Sequence, residues 1–366
     1  MNSPNQLNVF LIICTFKRIE LLLSLLDDIA NQSLIPENVV IVDGDKQNNE
    51  LPKILSTRKN ALFNKIYYLK SNHSNLSYQR YLGWKFASQK KTDCLLYFDD
   101  DLRLLKNNII EEIVRQLINY EDVVGITTTI RMGKFGNKHE SYKKIINRKP
   151  QSSFLRNGIT KFGSSSKIKP GGLTPSGDRI LPRSGENHSF SEVEWLRGGV
   201  MAYKMSAITS DCFLEDLFAL DEKRFGKGED TILSRRVMQK GKLIYLHDVI
   251  VDHPNVDLPK TYPITAYKLA YATSYSRRFL NDHYRVTIPP KMIDRISLIK
   301  SYIGNSFINW GQAFLTLKKH KFSYALGYSM GSLRGIFQKP TAKNLTPHIN
   351  WWQDAEEALK NQIIIQ

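Results

Sequence analysis

The sequence has few cysteines and no long apolar run. Three cysteines occur among 366 residues, Cys14, Cys94 and Cys212, and they lie far apart in the chain. An odd number of separated cysteines argues against a disulfide framework and favours a reducing compartment. No apolar stretch approaches the roughly 18 residues that a membrane-spanning helix needs, and residues 1–7 lack the basic segment that opens a signal peptide. We therefore expect a cytoplasmic protein.

Several common ligand-binding motifs are also missing. The chain has no Gly-x-Gly-x-x-Gly after its first predicted strand and no P-loop, which argues against an ordinary dinucleotide site or P-loop NTPase. No Cys/His spacing indicates a zinc site. Acidic residues are the scarcer charge, with 35 Asp and Glu against 52 Lys and Arg, so the net charge is +17. This balance favours an anionic partner, which could be nucleic acid, an acidic membrane surface or a phosphate-bearing substrate.

The most informative stretch is a short apolar run that ends in three carboxylates. Residues 94–98 read as a buried strand, and Asp99, Asp100 and Asp101 follow at once. In an open α/β sheet, ligands bind at the carboxyl ends of the strands. Three adjacent carboxylates repel one another unless a hard cation such as Mg²⁺ or Mn²⁺ lies between them. A solvated strand end or the N-cap of the helix predicted over 107–120 stays open as an alternative.

Strands and helices alternate along the first third of the chain. The apolar patterns predict strands over 8–14, 38–42, 65–69, 94–99 and 123–130, with helices over 19–32, 77–88 and 107–120. This alternation predicts an α/β fold with a mostly parallel sheet flanked by helices. Polar loops follow the first, second and fourth strands, so residues 15–18, Asp43 and residues 99–101 should share one sheet edge.

The middle of the chain has a different composition. Residues 134–191 are basic and rich in Gly, Ser and Pro, which suggests either a substrate lid or a surface insertion. Gly198 and Gly199 would permit a close backbone approach, or form an ordinary turn. Glu229 and Asp230 open a predicted helix, where carboxylates are favoured by the helix dipole as well as by catalysis.

The C-terminal third predicts two amphipathic helices. Apolar and aromatic residues recur at helical spacing over 299–317 and again over 322–337, with lysines between them. Such helices either lie in a membrane interface or pack on the rest of the protein as a hairpin. We therefore expect a catalytic domain over 1–260, and a helical, basic and aromatic region over 261–366 that could bind an anionic membrane surface at the inner face of the cell membrane.

The order of these motifs resembles that of the family 2 glycosyltransferases, over about residues 7–255. A strand leads to Thr15-Phe16-Lys17-Arg18, a second strand to Val42-Asp43-Gly44, and the fourth to the three aspartates. Gly198-Gly199, Glu229-Asp230 and the sequence Asp252-His253 follow. The resemblance implies the GT-A fold, which is Rossmann-like, a nucleotide-sugar donor, a divalent metal (Mn²⁺ or Mg²⁺), and inversion at the anomeric carbon.

The resemblance also implies roles for single residues. Asp99 and Asp101 match the acidic motif that holds metal and donor, and His253 matches a histidine that contacts metal or diphosphate in some members. Asp230 matches the catalytic base, with Glu229 beside it. The implied donor-binding residues are Thr15, Arg18, Asp43, Arg80, Asp99, Asp100, Gly198 and Gly199.

The chain departs from the family pattern at one motif. It has Val42-Asp43-Gly44-Asp45 where many members have Val-Asp-Asp-Gly-Ser. Asp43 matches an acid that reads uracil, so the resemblance favours a UDP-sugar while leaving other bases open. His247 is a second choice to His253.

The leading hypothesis is a metal-assisted, inverting sugar transferase that acts on a glycan or lipid-linked acceptor in cell-surface polysaccharide synthesis. A nucleotidyltransferase that makes an activated sugar is one alternative, although the loop after the first strand lacks the Gly- and Arg-rich pattern usual for that class. The other is a basic nucleic-acid-binding protein, against which the absence of a zinc module, recognition helix or RNP-like strand counts.

Overall fold

The computed structural model describes residues 7–57, 66–133, 169–182, 189–254, 263–361 and 363–365. Within these ranges the strands are β1 Val9–Thr15, β2 Asn38–Asp43, β3 Ile66–Lys70, β4 Cys94–Asp99, β5 Val123–Gly133, β6 Phe190–Val193, β7 Val200–Lys204, β8 Lys242–Pro254 and β9 Ile363–Ile365. The helices are α1 Ile19–Ala30, α2 Glu50–Thr57, α3 Leu76–Ser88, α4 Ile109–Asn119, α5 Glu215–Glu222, α6 Glu229–Val237, α7 Pro263–Asp282, α8 Met292–Thr316, α9 Lys319–Phe337, α10 Ala342–Leu345 and α11 Trp351–Lys360.

The described strands form one sheet in the order β6-β8-β5-β7-β4-β1-β2-β3-β9. Pairing is parallel between β1 and β2, β1 and β4, β2 and β3, and β5 and β8. β7 enters antiparallel between β4 and β5, and the two outer strands β6 and β9 are antiparallel to their neighbours. The predicted α/β fold with a mostly parallel sheet is therefore confirmed, and the predicted strands and helices lie close to their observed bounds.

Both faces of the sheet are covered by helices. Every residue of β1 and β2 is buried, as expected for central parallel strands. Alternate residues of β1 belong to different cores: Ile13 packs with α1, α2 and α4, and Ile12 packs with α3, α5 and α6. The second core also contains residues from α7 and α11, among them Phe279 and Trp351. The segment after residue 262 thus shares a core with the sheet.

The C-terminal helices form a tightly packed group. α9 approaches α7 so closely that a Cβ atom at Gly327 would lie 2.3 Å from the carbonyl oxygen of Tyr267, and one at Gly331 would lie 2.4 Å from that of Tyr271. Only glycine leaves room for this contact. The two predicted amphipathic helices correspond to α8 and α9, while α7 was not predicted. Across the part of the chain that the structure describes, no helix combines the length and apolarity needed to cross a bilayer.

The structure describes only part of the segment predicted as a lid or an insertion. Residues 134–168 and 183–188 lie outside the described residues, whereas 169–182 form a turn-rich segment against α7. Arg277 of α7 pairs with Asp178 at 2.6 Å, and the amide of Asn281 donates to the carbonyl oxygen of Pro175 at 2.6 Å. A Cβ atom at Gly177, whose φ is +80°, would lie 3.2 Å from Leu280. The helices after residue 262 therefore hold this segment against the body of the protein.

Candidate active site and metal centre

The parallel pairing of β1, β2 and β4 brings the predicted site residues to one edge of the sheet. Thr15 pairs with Asp43 in the β1–β2 register, and Cys14 pairs with Asp99 in the β1–β4 register. Strands that run in the same direction end at the same edge, so the polar side chains after them converge. The edge predicted from the sequence is therefore present.

The first loop is tied to the aspartate triplet. The Thr15 hydroxyl donates to Asp100 Oδ2 at 2.7 Å, and Arg18 Nη1 donates to Asp100 Oδ1 at 3.1 Å and Asp101 Oδ2 at 3.0 Å. Burial raises the pKa of Asp100, and the hydrogen bond from Thr15 and the charge of Arg18 oppose the rise. In this arrangement the Asp100 carboxylate holds the loop after β1, while half-exposed Arg18 bridges two acids.

Asp99, Asp101 and His253 form a candidate metal site. One ligand atom from each lies within 4.8 Å of the others. Burial raises the pKa of Asp99 to about 6, Arg80 opposes that rise, and the Asp101 carboxylate adds to it. Asp101 Oδ1 is buried and accepts no hydrogen bond, although it lies 3.2 Å from Nε2 of His253. A hard divalent cation between these atoms would satisfy them all.

The end of β8 brings His253 to the aspartates. β8 has three extra residues between Leu246 and Ile250, a bulge that changes the register with β5. Beyond the bulge, Asp252 forms a bidentate ion pair with Arg131, and its backbone exchanges hydrogen bonds with that of Arg103 in the loop after β4. Nδ1 of His253 lies 3.2 Å from the carbonyl oxygen of Pro254. A proton on Nδ1 would leave the Nε2 lone pair facing Asp101, which suits metal ligation.

His247, the second choice from the sequence, lies elsewhere. Its Nε2 contacts the Ser191 hydroxyl at 2.8 Å on β6, and its ring lies beside Tyr245. Among the described residues, His253 is the histidine that joins the acidic cluster.

Arg80 on α3 connects three parts of the site. Its guanidinium donates to Asp99 Oδ1 at 3.3 Å, Glu229 Oε1 at 3.1 Å and the carbonyl oxygen of Gly198 at 3.0 Å. Burial alone would lower the pKa of Arg80, but the neighbouring Glu229 and Asp99 carboxylates outweigh this effect and raise it. Burial also raises the pKa of Glu229, and neighbouring Asp230 adds to the rise. Glu229 is thus engaged in charge compensation within the site.

Asp230, the second residue of α6, contacts the amide of the same glycine. The Gly198 amide donates to Asp230 Oδ2 at 3.0 Å, and the amide and hydroxyl of Thr231 donate to Oδ1 at 2.7 Å and 3.2 Å. The carbonyl oxygen of Gly199 accepts from the Asp99 amide at 3.0 Å. The glycine pair therefore makes backbone contacts with both acidic groups, which is the close approach that its sequence allowed.

Arg179 is a site residue that the sequence analysis missed. Its Nη1 lies 3.2 Å from Asp230 Oδ1 and 3.4 Å from Oδ2, and its guanidinium lies over the Trp195 ring, 5.6 Å from the centroid. Arg179 belongs to the segment held by α7. No motif marks it, because its partner is 51 residues away.

Asp43 ends β2, and the loop that follows closes over its carboxylate. It is fully buried, and its carboxylate accepts from the Asp45 amide, the Asn48 amide group and the Tyr68 hydroxyl, at 2.8 to 2.9 Å. Burial raises its pKa, and these hydrogen bonds oppose the rise. In this arrangement Asp43 orders the loop after β2. A cleft of about 630 Å³ lies beside that loop and is lined by residues that include Lys17, Arg18, Asp45, Gln47 and Asn48.

Residues 10–168 match the family model described as glycosyl transferase family 2. The chain carries a family 2 glycosyltransferase domain. The match covers Thr15, Arg18, Asp43, Arg80 and the aspartate triplet. It ends before the glycine pair, the start of α6 and the end of β8, so the geometry described above is what joins those parts to the domain.

Three solved glycosyltransferase structures are similar to this chain at low identity. The mannosyltransferase PcManGT from Pyrobaculum calidifontis, solved with GDP-Man and Mn²⁺, is 13% identical, with 92% of this chain and 89% of that chain covered and a TM-score of 0.46. GalNAc-T7, solved with UDP, GalNAc and Mn²⁺, is 15% identical, with 86% and 59% covered and a TM-score of 0.49. S. aureus TarS 1-349 is 12% identical, with 91% and 92% covered and a TM-score of 0.42. No curated protein sequence matches.

The family match supports one of the three functions that the sequence left open. A glycosyltransferase transfers a sugar, which sets this protein apart from a nucleotidyltransferase and from a non-enzymatic nucleic-acid-binding protein.

Proposed function

We propose that this glycosyltransferase transfers a sugar from a nucleoside-diphosphate donor to a hydroxyl of a glycan or lipid-linked acceptor, with inversion, in cell-surface polysaccharide synthesis. The observation that carries the proposal is the continuous path from the metal cluster to Asp230. Asp99 contacts Arg80, Arg80 contacts the Gly198 carbonyl, and the Gly198 amide contacts Asp230. A site for the leaving diphosphate and a base for the acceptor would therefore lie on either side of Gly198.

The donor side has the chemistry of a diphosphate site. Asp99, Asp101 and His253 would hold Mn²⁺ or Mg²⁺, which when bound neutralises the diphosphate and makes it a better leaving group. The half-exposed Arg18 and the neighbouring Lys17 line the cleft and add positive charge for the nucleotide. The family resemblance of Asp43 favours a UDP-sugar, and other bases stay open because the Asp43 carboxylate is buried against Asn48 and Tyr68.

The acceptor side needs one proton transfer. The acceptor hydroxyl would donate its proton to an Asp230 oxygen as its own oxygen forms the bond to the anomeric carbon. The bond to the diphosphate breaks on the opposite face, and the nucleoside diphosphate leaves with the electron pair. A single displacement of this kind inverts the configuration. General-base assistance typically contributes about 10²–10⁴ in rate.

Nucleotide binding is the first test. We expect one of UDP, GDP, ADP, CDP or dTDP to stabilise the protein against heat in the presence of Mn²⁺. A ligand at 100 times its dissociation constant adds about 2.7 kcal/mol to the free energy of unfolding. Asp101→Asn should remove the metal-dependent part, because it replaces a charged ligand oxygen. No stabilisation by any diphosphate would contradict the proposal.

The role of Asp230 is tested separately. Asp230→Asn keeps the shape of the side chain but cannot take a proton, so transfer should fall about 10²–10⁴-fold while metal-dependent nucleotide binding persists. Wild-type turnover in this variant would sink the assignment of the base.

We further propose that the protein works at the inner face of the cell membrane, held by α8 and α9. The outward residues of α8 recur at helical spacing and are 36 to 80% exposed: Met292, Ile296, Ile299, Ile303, Phe307 and Phe314. On α9 a second stripe is 45 to 85% exposed: Leu326, Met330, Leu333 and Phe337. The opposite sides of both helices are buried. Packing against α7 therefore leaves an apolar side on each helix uncovered.

The two stripes adjoin, and the charge around them has one sign. Trp310, which continues the α8 stripe, donates to the hydroxyl of Ser329 on α9 at 3.1 Å, and Phe314 contacts Phe322 across the helices. Residues 283–350 contain ten Lys and Arg but a single acid, Asp294, which is buried in an ion pair with Arg285. An apolar face surrounded by positive charge complements an anionic lipid surface, at about 1 kcal/mol for each basic residue near it.

Vesicle binding tests the membrane proposal. The protein should bind vesicles that contain phosphatidylglycerol and not neutral phosphatidylcholine vesicles. Phe307→Ser should weaken binding about tenfold or more, because a buried Phe side chain contributes about 1.5–3 kcal/mol. Leu105→Ser, at a side chain of similar exposure elsewhere, is the control. Equal binding by both variants, or none by the wild type, would refute the proposal, and dimerisation lost only in Phe307→Ser would assign the face to a second copy.

A further inference from the structure

The Asp230 carboxylate has one position left for an acceptor hydroxyl, and Arg179 occupies it. Each carboxylate oxygen accepts about two hydrogen bonds. Oδ1 already accepts from both the amide and the hydroxyl of Thr231, and Oδ2 accepts from the Gly198 amide. Nη1 of Arg179 lies 3.2 Å from Oδ1 and 3.4 Å from Oδ2, so it also covers the remaining lone pair of Oδ2. A hydroxyl cannot reach the base until this guanidinium moves.

Moving Arg179 away from Asp230 has an electrostatic cost unless another anion receives it. Asp230 is only 8% exposed, and a carboxylate so buried loses its nearest cation when Arg179 leaves. The Arg179 side chain is 35% exposed, so it can also reach a group in the open part of the site. A neutral acceptor offers the guanidinium nothing in exchange, whereas a phosphate or carboxylate beside the attacked hydroxyl offers a bidentate partner.

The segment that carries Arg179 is fixed on both sides. Asp178 pairs with Arg277, and Pro175 accepts from Asn281, so the backbone next to Arg179 is anchored on α7. The Ile180 amide donates to the Gly172 carbonyl oxygen at 2.9 Å. The guanidinium can therefore change partners by side-chain rotation alone.

From this we infer that Arg179 is the acceptor-recognition residue of the site, and that it selects acceptors carrying a phosphate or carboxylate next to the reacting hydroxyl. Without acceptor, Arg179 covers Asp230 and limits transfer to water. With an anionic acceptor, Arg179 pairs with the anion and Asp230 becomes free to take the hydroxyl proton. The inference rests on the proposed role of Asp230 as the base.

Hydrolysis of the donor, in which water is the acceptor, tests the inference without knowledge of the natural acceptor. The assay uses the full chain with Mn²⁺ and sugars linked to the nucleoside diphosphate that stabilises the protein. Methyl phosphate or acetate should stimulate hydrolysis by wild type roughly tenfold or more, the scale of one hydrogen bond to a charged group. The anion that stimulates more identifies phosphate or carboxylate as the recognised group.

Two variants make the test specific. Arg179→Gln should hydrolyse the donor faster than wild type without added anion and should not respond to either anion. Arg179→Lys keeps the charge and should retain part of the response. Arg115→Gln removes an exposed arginine on α4 and should behave as wild type.

The outcomes separate this inference from the proposed function. No stimulation of wild type by either anion, or an unchanged response in Arg179→Gln, would overturn the inference. If nucleotide still binds with Mn²⁺ and Asp230→Asn still abolishes transfer, the proposed function survives that result. Absence of metal-dependent nucleotide binding would instead contradict both the proposed function and the inference about Arg179.

Discussion

Replacing Arg80 with methionine should destabilise the protein strongly, and Mn²⁺ should reverse part of the effect. The side chain is 4% exposed and compensates two carboxylates, Asp99 and Glu229, while it also donates to the Gly198 carbonyl. Breaking a buried ion pair by removing one partner typically costs about 3–5 kcal/mol. We expect the lower end, about 3 kcal/mol, because both carboxylates have raised pKa values and can take up protons.

Bound Mn²⁺ should reduce the destabilisation that Arg80→Met causes. Mn²⁺ at Asp99 would take over part of the compensation that Arg80 provides, so the loss should shrink when the metal is saturating. Urea unfolding of wild type and Arg80→Met, with chelator and with Mn²⁺, measures both values. Adding Glu229→Gln to the variant should recover part of the loss, and Arg115→Met on the surface should cost little. A loss below about 1 kcal/mol, or one that Mn²⁺ does not change, would refute the reasoning.

Two further predictions concern stability. Gly331→Ala should lower the free energy of unfolding by more than about 1 kcal/mol and loosen α9, because its Cβ would lie 2.4 Å from a carbonyl oxygen of α7. Gly311→Ala on α8 meets nothing within 4 Å and should raise that free energy by up to about 1 kcal/mol. Similar unfolding midpoints for the two variants would contradict this. Burial lowers the pKa of His73, but the hydrogen bonds and charges of Glu222 and Asp354 outweigh it and raise the pKa. The stabilisation from protonated His73 should be complete below pH 6.5 and should disappear as pH rises through the folded-state pKa. The difference in free energy of unfolding between wild type and His73→Gln should therefore shrink from pH 6 to pH 8.5. A difference that grows with pH would contradict the raised pKa.

The central strands of the sheet were predictable because the sequence of each one alone indicates a buried strand. β1, β2 and β4 are short apolar runs that end in polar residues, and the helices between them have a clear apolar period. Parallel strands then bring Thr15, Asp43 and Asp99 to one edge without further information. The candidate metal ligands follow from the same rule, with His253 added by the family resemblance.

The rest depends on contacts between residues that are distant in sequence. The apolar run of β7 indicates a strand, but nothing in it shows that the strand enters antiparallel between β4 and β5. Asp43 has the sequence position of a base-reading acid, yet Tyr68 and Asn48 draw its carboxylate inward. Arg179 lies in a basic segment without a motif, and only the anchoring of that segment on α7 brings it to Asp230.

Gly198 contacts both halves of the site. Its carbonyl oxygen accepts a hydrogen bond from Arg80, which balances the charge of Asp99, and its amide donates to the proposed base Asp230. A Cβ atom at this position would lie 3.2 Å from Arg80 Nη2 and 3.3 Å from Asp230 Oδ2, closer than most real contacts. A larger residue would therefore push the arginine and the base apart. Because both charged groups lie within hydrogen-bond distance of Gly198, a displacement on the donor side would reach the acceptor side through a single residue.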